Sequence, residues 1–376
     1  MGNDESAGFH DVSTPEVDAR ALRHDGCEEL YVTAIVDAHS QAAAAFTAAA
    51  DLVRERGATV VAIRVFGLLE RSQEGRDLVE EAFGDIRWPV TWLDEGWRND
   101  PLLAGIEVHA TRGGPASPLR LGERVVGSIY EDRFATYCTL GGLLPADTGV
   151  SRPVQAKEVF ETMAAGLAEA GMGFEHVVRT WLWIEDILSW YDSFNEVRTR
   201  FFEENGIFDR WPPASTGIGA HNAAGAALTA ELVAMKPKGT QAEAYPVASP
   251  LQCSATSYGS SFSRAAEIST PNYRELFVSG TASIAPDGET MHRGDVEKQI
   301  SRTMEVVGAI LESRDMGWGH VKRSVVYFRN AEDAPAFRSY CAGEGLDDMP
   351  NIIVHSTVCR EDLLFELELD AVRPSQ

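Results

Sequence analysis

Positive charge is in short supply in this chain: 33 Lys and Arg face 57 Asp and Glu, for a formal net charge of −24 over 376 residues. So acidic a surface repels nucleic-acid phosphates and anionic lipid headgroups, and neither is an expected partner. An anionic small molecule needs a locally basic, enclosed site, which a few inward-pointing Arg residues supply. Cysteine is scarce as well. Cys27, Cys138, Cys253, Cys341 and Cys359 are odd in number and scattered, without CxxC or Cys/His ligand spacing, so reduced thiols are the simplest account and no metal site is expected. No apolar run approaches the roughly 18–20 residues of a membrane span. A Walker loop, a strand-borne GxGxxG, an HExxH and a Ser-centred elbow are all missing, which leaves nucleotide, metallopeptidase and triad-hydrolase readings without support and implies no cofactor. The expectation is a soluble, cytoplasmic protein acting on a small molecule, as a monomer or a homo-oligomer.

What is present is an ordinary globular balance, 44% hydrophobic and 9% aromatic, in a chain long enough for two or three domains. Residues 1–26 are polar and acidic and carry Pro15, so they are expected to be a mobile tail, with no signal peptide. Beyond them the chain repeats itself. Gly173-Phe174-Glu175-His176-Val177-Val178-Arg179-Thr180 returns 144 residues on as Gly317-Trp318-Gly319-His320-Val321-Lys322-Arg323-Ser324. Each copy follows a helical pattern, Phe160, Met163 and Leu167 or Met304, Val307 and Leu311, and each runs into a strand, about 177–184 or 321–328. The matching positions of His176 and His320 point to a structural role in the turn before the strand.

Upstream of each helix lies a small-residue strand end, Thr139-Leu140-Gly141-Gly142 or Ser279-Gly280-Thr281-Ala282, where glycine admits close approach of a backbone or ligand. Downstream, second helices start near Ile187 and Ala331, and Trp211-Pro212-Pro213 and Met349-Pro350 introduce closing strands at 227–235 and 363–372. A fainter copy precedes these, with strands at 29–36 and 58–66, a helix at 42–56, Trp88-Pro89, and a closing strand at 106–111. The pattern predicts an α+β chain of three tandem units: a degenerate one over 27–115, one over 123–238 and one over 250–374.

This order of elements, with its Ser-Gly-Thr strand end, its V-x-R-[TS] strand and its Pro-led closing strand, resembles the RidA (YjgF) family, of chorismate mutase-like fold. The resemblance implies three units forming a pseudo-trimer, with sheets around a central barrel-like junction and ligand pockets where units meet. Several segments more specifically resemble the chorismatases: Pro213-Ala214-Ser215-Thr216-Gly217-Ile218-Gly219-Ala220-His221, Ser261-Phe262-Ser263-Arg264-Ala265, Met291-His292-Arg293-Gly294-Asp295-Val296 and Arg360-Glu361-Asp362-Leu363-Leu364-Phe365-Glu366.

Along the last strand Leu363, Phe365, Leu367 and Leu369 alternate with Leu364, Glu366, Glu368 and Asp370, so the carboxylates share the face away from the helices. In a half-exposed sheet that face is solvated. In a RidA-like chain it lines the junction, where a partly desolvated carboxyl holds its proton more tightly and can deliver it. Glu366 occupies the place that resembles the chorismatase general acid, which implies protonation of the enol-ether methylene of chorismate and departure of pyruvate. Cys359 matches the place of a cysteine in the 3-hydroxybenzoate-forming branch. Its other reading is the commoner one for a free cysteine, a small buried hydrophobe.

Arg198, Arg264, Arg293 and Arg360 lie in or near the matching segments, and a dicarboxylate needs two such clamps. Tyr258, Trp183 and His221 complete the expected substrate-binding set. The departures are also specific. Chorismatases carry Tyr-Gly-Pro-Arg where this chain reads Tyr258-Gly259-Ser260-Ser261, and Trp-Asn-Tyr where it reads Trp181-Leu182-Trp183. The Arg that RidA imine hydrolases place after the closing-strand proline is missing from both Pro213-Ala214-Ser215 and Pro350-Asn351-Ile352, which lowers enamine deamination. Three functions stay open. One is a cofactor-independent chorismatase of secondary metabolism. Another is a cyclase or dehydratase that closes an aromatic ring on an indole-type, carbazole-like intermediate stacked on Trp181, Trp183, Trp190 and Trp211. The third is a non-catalytic ligand-binding relative.

Overall fold

A computed structural model describes residues 7–35, 42–67, 73–94, 104–114 and 116–375. They form three α+β units in tandem, each a six-stranded mixed sheet with two helices. The first comprises β1 (Gly8–Asp11), β2 (Asp18–His24), β3 (Cys27–Ile35), α1 (Ala42–Glu55), β4 (Thr59–Phe66), α2 (Gln73–Phe83), β5 (Val90–Leu93) and β6 (Gly105–Arg112). The second runs through β7 (Ser117–Leu121), β8 (Arg124–Glu131), β9 (Ala135–Leu143), α3 (Arg152–Glu169), β10 (Val177–Ile184), α4 (Tyr191–Glu204), β11 (Ala214–Gly219) and β12 (Leu228–Pro237). The third has β13 (Glu243–Val247), β14 (Ala265–Ser269), β15 (Tyr273–Ala282), α5 (Val296–Glu312), β16 (Val321–Phe328), α6 (Ala334–Glu344), β17 (Ile352–His355) and β18 (Phe365–Pro374).

The sheets share one strand order, with the closing strands β6, β12 and β18 inside and β5, β11 and β17 as parallel edges. Proline enters each unit just before that edge, at Pro89, Pro213 and Pro350, where a residue without an N–H costs the sheet no ladder bond. Bulges at Val60/Ala62, Val177/Arg179 and Val321/Arg323 recur at one register position in all three units. Phe160, Met163 and Leu167 of α3 and Met304, Val307 and Leu311 of α5 are buried against their own sheets, as the helical spacing requires. His176 and His320 hold the turn before their strands, each Nδ1 accepting the backbone N–H of Gly173 or Gly317 at 3.1 and 3.0 Å.

Three expectations need correction. Residues 8–24 are not a mobile tail: β1 pairs with β2 and β2 with β3, burying Ala19, Ala21 and Leu22. The first unit therefore begins before Cys27, with small apolar side chains alternating in a segment whose overall composition is polar. Among the described residues the sheets do not close into a barrel. They remain three, and isolated bridges Ala214↔Ser263 and Gly219↔Thr357 join the second to the third. Leu363 does not face the helices either, because it precedes β18 and packs between units with Val325 and Tyr327. Of the first unit's expected opening strand, Val36 lies outside the described residues.

The faces turned away from the helices meet at the centre through charge. Glu107, Glu231 and Glu368 stand at equivalent positions of the three closing strands, opposite Arg64, Trp181 and Val325. Each meets an Arg from another unit: Arg64 reaches Glu231 at 2.7 Å, Arg179 reaches Glu368 at 2.8 Å and Arg323 reaches Glu107 at 2.8 Å. The exchange is cyclic. All three guanidinium groups gather on Trp181, with centroid distances of 3.9, 4.6 and 5.5 Å.

Candidate functional site

A cavity of about 220 Å³ opens where the second and third units meet. Helix α4 brings Tyr191, Asp192, Asn195 and Arg198 to the cavity, while its Phe194, Phe201 and Phe202 bury in the second core. Strand β11 adds Ser215 and Gly217, the segment entering β14 adds Phe262 and Arg264, β15 adds Gly280, the loop between β17 and β18 adds Cys359 and Arg360, and β18 adds Glu366. Five of the residues expected from the sequence therefore share one wall: Glu366, Cys359, Arg198, Arg264 and Arg360.

Glu366 is buried, at 4% exposure. Desolvation first, and the Glu368 charge second, push its carboxyl up to about 8, against the opposing pull of Arg179 and Arg264. Glu368, two residues on, is held the other way. Burial works to raise it, but Arg323 and Arg179 overcome that penalty, aided by the Thr216 hydroxyl, and keep it below the ordinary carboxylate range. Two carboxyl groups one pleat apart thus have opposite protonation preferences. Burial, with the Glu366 charge second, pushes the Cys359 thiol up to about 12, so it stands in the wall as a neutral thiol and not as a thiolate.

The Arg residues are each anchored while facing the cavity. Arg198 donates to Asn195 Oδ1 at 2.6 Å and lies over Phe194, Arg264 donates to the Cys253 carbonyl at 2.9 Å, and Arg360 to the Gly288 carbonyl at 2.7 Å. Their positive charge is concentrated in an enclosed space on an otherwise acidic protein, with Asp192 and Glu366 as the carboxyl groups in the wall.

Three of the remaining expected residues, Trp183, Arg293 and His221, lie elsewhere. Trp183 is 2% exposed and packs between units with Ile218 and Tyr327. Arg293 is a surface residue, paired with Asp362 at 3.0 Å and Glu289 at 3.3 Å. The exposed His221 ring lies 3.4 Å from Glu185, and it is the His221 carbonyl that joins units, accepting the Asp94 N–H at 2.9 Å. Tyr258 ends the 3₁₀ turn Ala255–Tyr258, and its side chain lies outside the described residues.

Gly280 is a further site residue, which the sequence marks only as part of a small-residue strand end. A Cβ there would come within 2.1 Å of Glu366 Oε1 and 3.1 Å of Thr216 Cγ2. Its N–H donates to Thr216 Oγ1 at 3.0 Å, which fixes the floor beneath the carboxyl. Gly280→Ala is accordingly expected to fold, because the obstructed atom ends a flexible side chain, and to displace Glu366. Melting within about 1 kcal/mol of wild type with turnover reduced tenfold or more is the expected pair of measurements.

Among the described residues no group of three or more His, Cys, Asp and Glu is placed to hold a metal ion, and no helix is long and apolar enough to cross a membrane. No family model matches the chain. A chorismatase of Streptomyces hygroscopicus is 31% identical over 225 residues, 52% of this chain and 62% of that protein. A 3-hydroxybenzoate synthase of Streptomyces hygroscopicus is 31% identical over 224 residues, 52% of this chain and 63% of that protein. The chain thus spans somewhat less than two thirds of the length of the curated relatives it matches. A crystal structure of chorismatase, 22% identical, covers 83% of this chain and 93% of its own with a TM-score of 0.64, which shows a common fold. In sequence over half its length, and in fold over most of it, the chain is similar to the chorismatases.

Proposed function

We propose that the chain is a cofactor-independent lyase of the chorismatase type, in which Glu366 gives a proton to the enol-ether methylene of chorismate and the products are a hydroxybenzoate and pyruvate. The observation that carries this reading is a buried carboxyl pushed up to about 8 in a cavity that also presents Arg198, Arg264 and Arg360. An acid that keeps its proton near neutral pH is suited to protonating carbon, and the three Arg residues suit a substrate with two carboxylates. The atoms balance without water or a redox partner. Chorismate has the composition of hydroxybenzoate plus pyruvate, the proton added to the methylene becomes part of the pyruvate methyl group, and the ring returns one on aromatising.

The neutral Cys359 thiol lines the wall with the acid, and by resemblance its place is that of a cysteine in the 3-hydroxybenzoate-forming branch. Among the described residues, Tyr191 and Phe262 are the aromatic rings that line this cavity, and Trp181, Trp183, Trp190 and Trp211 are not among its lining. Purified protein mixed with chorismate is expected to release pyruvate, read by coupling to lactate dehydrogenase and NADH, together with an equal amount of hydroxybenzoate by chromatography. Absence of pyruvate from folded protein would remove the chorismatase reading.

A further inference from the structure

We propose that Glu368 is a positioning residue for Glu366: a carboxylate locked in its ionised form one pleat away, which holds the proton on its neighbour. This rests on reading Glu366 as the acid. In a strand, residues two apart lie on one face about 6–7 Å from each other, so the two carboxyl groups share the junction side of β18. What separates them is the supply of donors. Glu368 Oε1 accepts from Trp181 Nε1 at 2.9 Å and from Arg323 at 2.7 Å. Glu368 Oε2 accepts from Arg179 at 2.8 Å and from the Thr216 hydroxyl. Two cations and two neutral donors, contributed by β10, β11 and β16, fix one carboxylate that is itself 1% exposed. Glu366 has the cavity in place of such a set. A fixed anion so near, in a poorly solvated setting, disfavours a second negative charge, so the proton remains on the group that faces the substrate space.

The charges around Glu366 fall into two sets. On the protein-interior side, β10 presents Arg179 and β16 presents Tyr327, its cross-strand partner. Toward the cavity, α4 presents Arg198 and Asp192, the segment entering β14 presents Arg264, and the loop before β18 presents Cys359 and Arg360. The cations favour ionisation of Glu366 and are outweighed by burial together with Glu368. Thr216 ties the pair to the glycine floor, since its hydroxyl donates to Glu368 while accepting the Gly280 N–H.

The test is an infrared difference titration of the full-length chain without substrate, following the carbonyl stretch of the protonated carboxyl that disappears in Glu366→Gln. Glu368→Gln is expected to lower the titration midpoint of that band by about one pH unit or more. Arg179→Gln leaves Arg323, Trp181 and Thr216 on Glu368 and removes a cation that favours ionisation of Glu366, so it is expected to raise the midpoint. Opposite shifts in two variants of one ion pair are not produced by a general loosening of the core. An unchanged midpoint in either folded variant overturns the proposal. So does a wild-type midpoint near the ordinary value of 4.5, whether or not the variants fold. Because the readout needs no substrate, failure with chorismate leaves it standing, and its own failure leaves pyruvate release to be judged separately.

Discussion

Glu366→Gln is expected to lose about 10²–10⁴-fold in turnover of chorismate, measured as pyruvate released under saturating substrate, while the protein becomes more stable at alkaline pH. The two effects have one cause. The carboxyl sits where its ionised form is poorly solvated and faces the Glu368 charge, which pushes it up to about 8. As a proton donor it works when protonated, so kcat/KM of the wild type is expected to be flat below that value and to fall as pH rises through it. In the unfolded chain the same group titrates near its ordinary value of 4.5. Between these two values the native state binds more protons than the unfolded state. The contribution of Glu366 to stability is therefore fully present below pH 4.5 and is lost progressively as pH rises through about 8. A neutral Gln has no such loss, and denaturant unfolding at pH 9 is expected to show the variant more stable by about 2–4 kcal/mol, the order of a few pKa units at about 1.4 kcal/mol each. At pH 4 the difference vanishes. An activity loss without the alkaline gain in stability would mean that Gln simply disrupts the cavity.

The sequence carried much of this site because the relevant signals are periodic. Alternation in the last strand put Glu366, Glu368 and Asp370 on one face, and the helical spacing of Tyr191, Asn195 and Arg198 puts all three on the cavity side of α4. What periodicity cannot supply is the partner across a junction. Glu368 and Asp370 read equally well as solvated, and their burial at 1% and 3% follows from cations on other strands: Arg179 and Arg323 for the first, Arg323 for the second. Arg293 and His221 are expected in the site on the same sequence resemblance as Arg264 and Arg360, yet their side chains point to the surface. Short matching segments identify a loop, and the turn geometry around it decides which side chains enter the cavity. His292, at φ 57°, turns the backbone just before Arg293.

The first unit illustrates a different loss of signal. Its register places Ala62 where the other units have Arg179 and Arg323, so a motif comparison finds no counterpart. The cation is present two residues later as Arg64, on the same face of the strand because side chains alternate with a period of two. Three-dimensional equivalence survived a displacement that erased the sequence match. The N-terminal strands were missed for a related reason. Ala19, Ala21 and Leu22 bury little apolar surface each, and a tail is distinguished from an edge hairpin by pairing with β3, which composition does not encode.

Arg323→Met is expected to be among the most destabilising single substitutions in the chain, by about 3–5 kcal/mol in denaturant unfolding, because it leaves buried carboxylates behind and not because the ion pairs are intrinsically strong. Arg323 donates to Glu107 at 2.8 Å, to Glu368 at 2.7 Å and to Asp370 at 3.1 Å, and all four side chains are nearly inaccessible to water. Taking charges out of water costs about as much as their mutual attraction returns. The balance turns strongly unfavourable once one cation that served three anions is gone. Glu107 retains Arg64 at 3.0 Å and Glu368 retains Arg179 at 2.8 Å, whereas the Asp370 oxygen that Arg323 had satisfied is left without that partner. A compensating Asp370→Asn on the Arg323→Met background removes one of the stranded charges at nearly constant volume, and it is expected to recover about 1–3 kcal/mol. Non-additivity of that size marks a coupled network, while additive losses would mean that the methionine fails by packing alone. The contact also joins the third unit to the first, so in a chain whose units hold together through this centre the unfolding transition of Arg323→Met is expected to broaden as the first unit uncouples, read as a lower m-value than wild type.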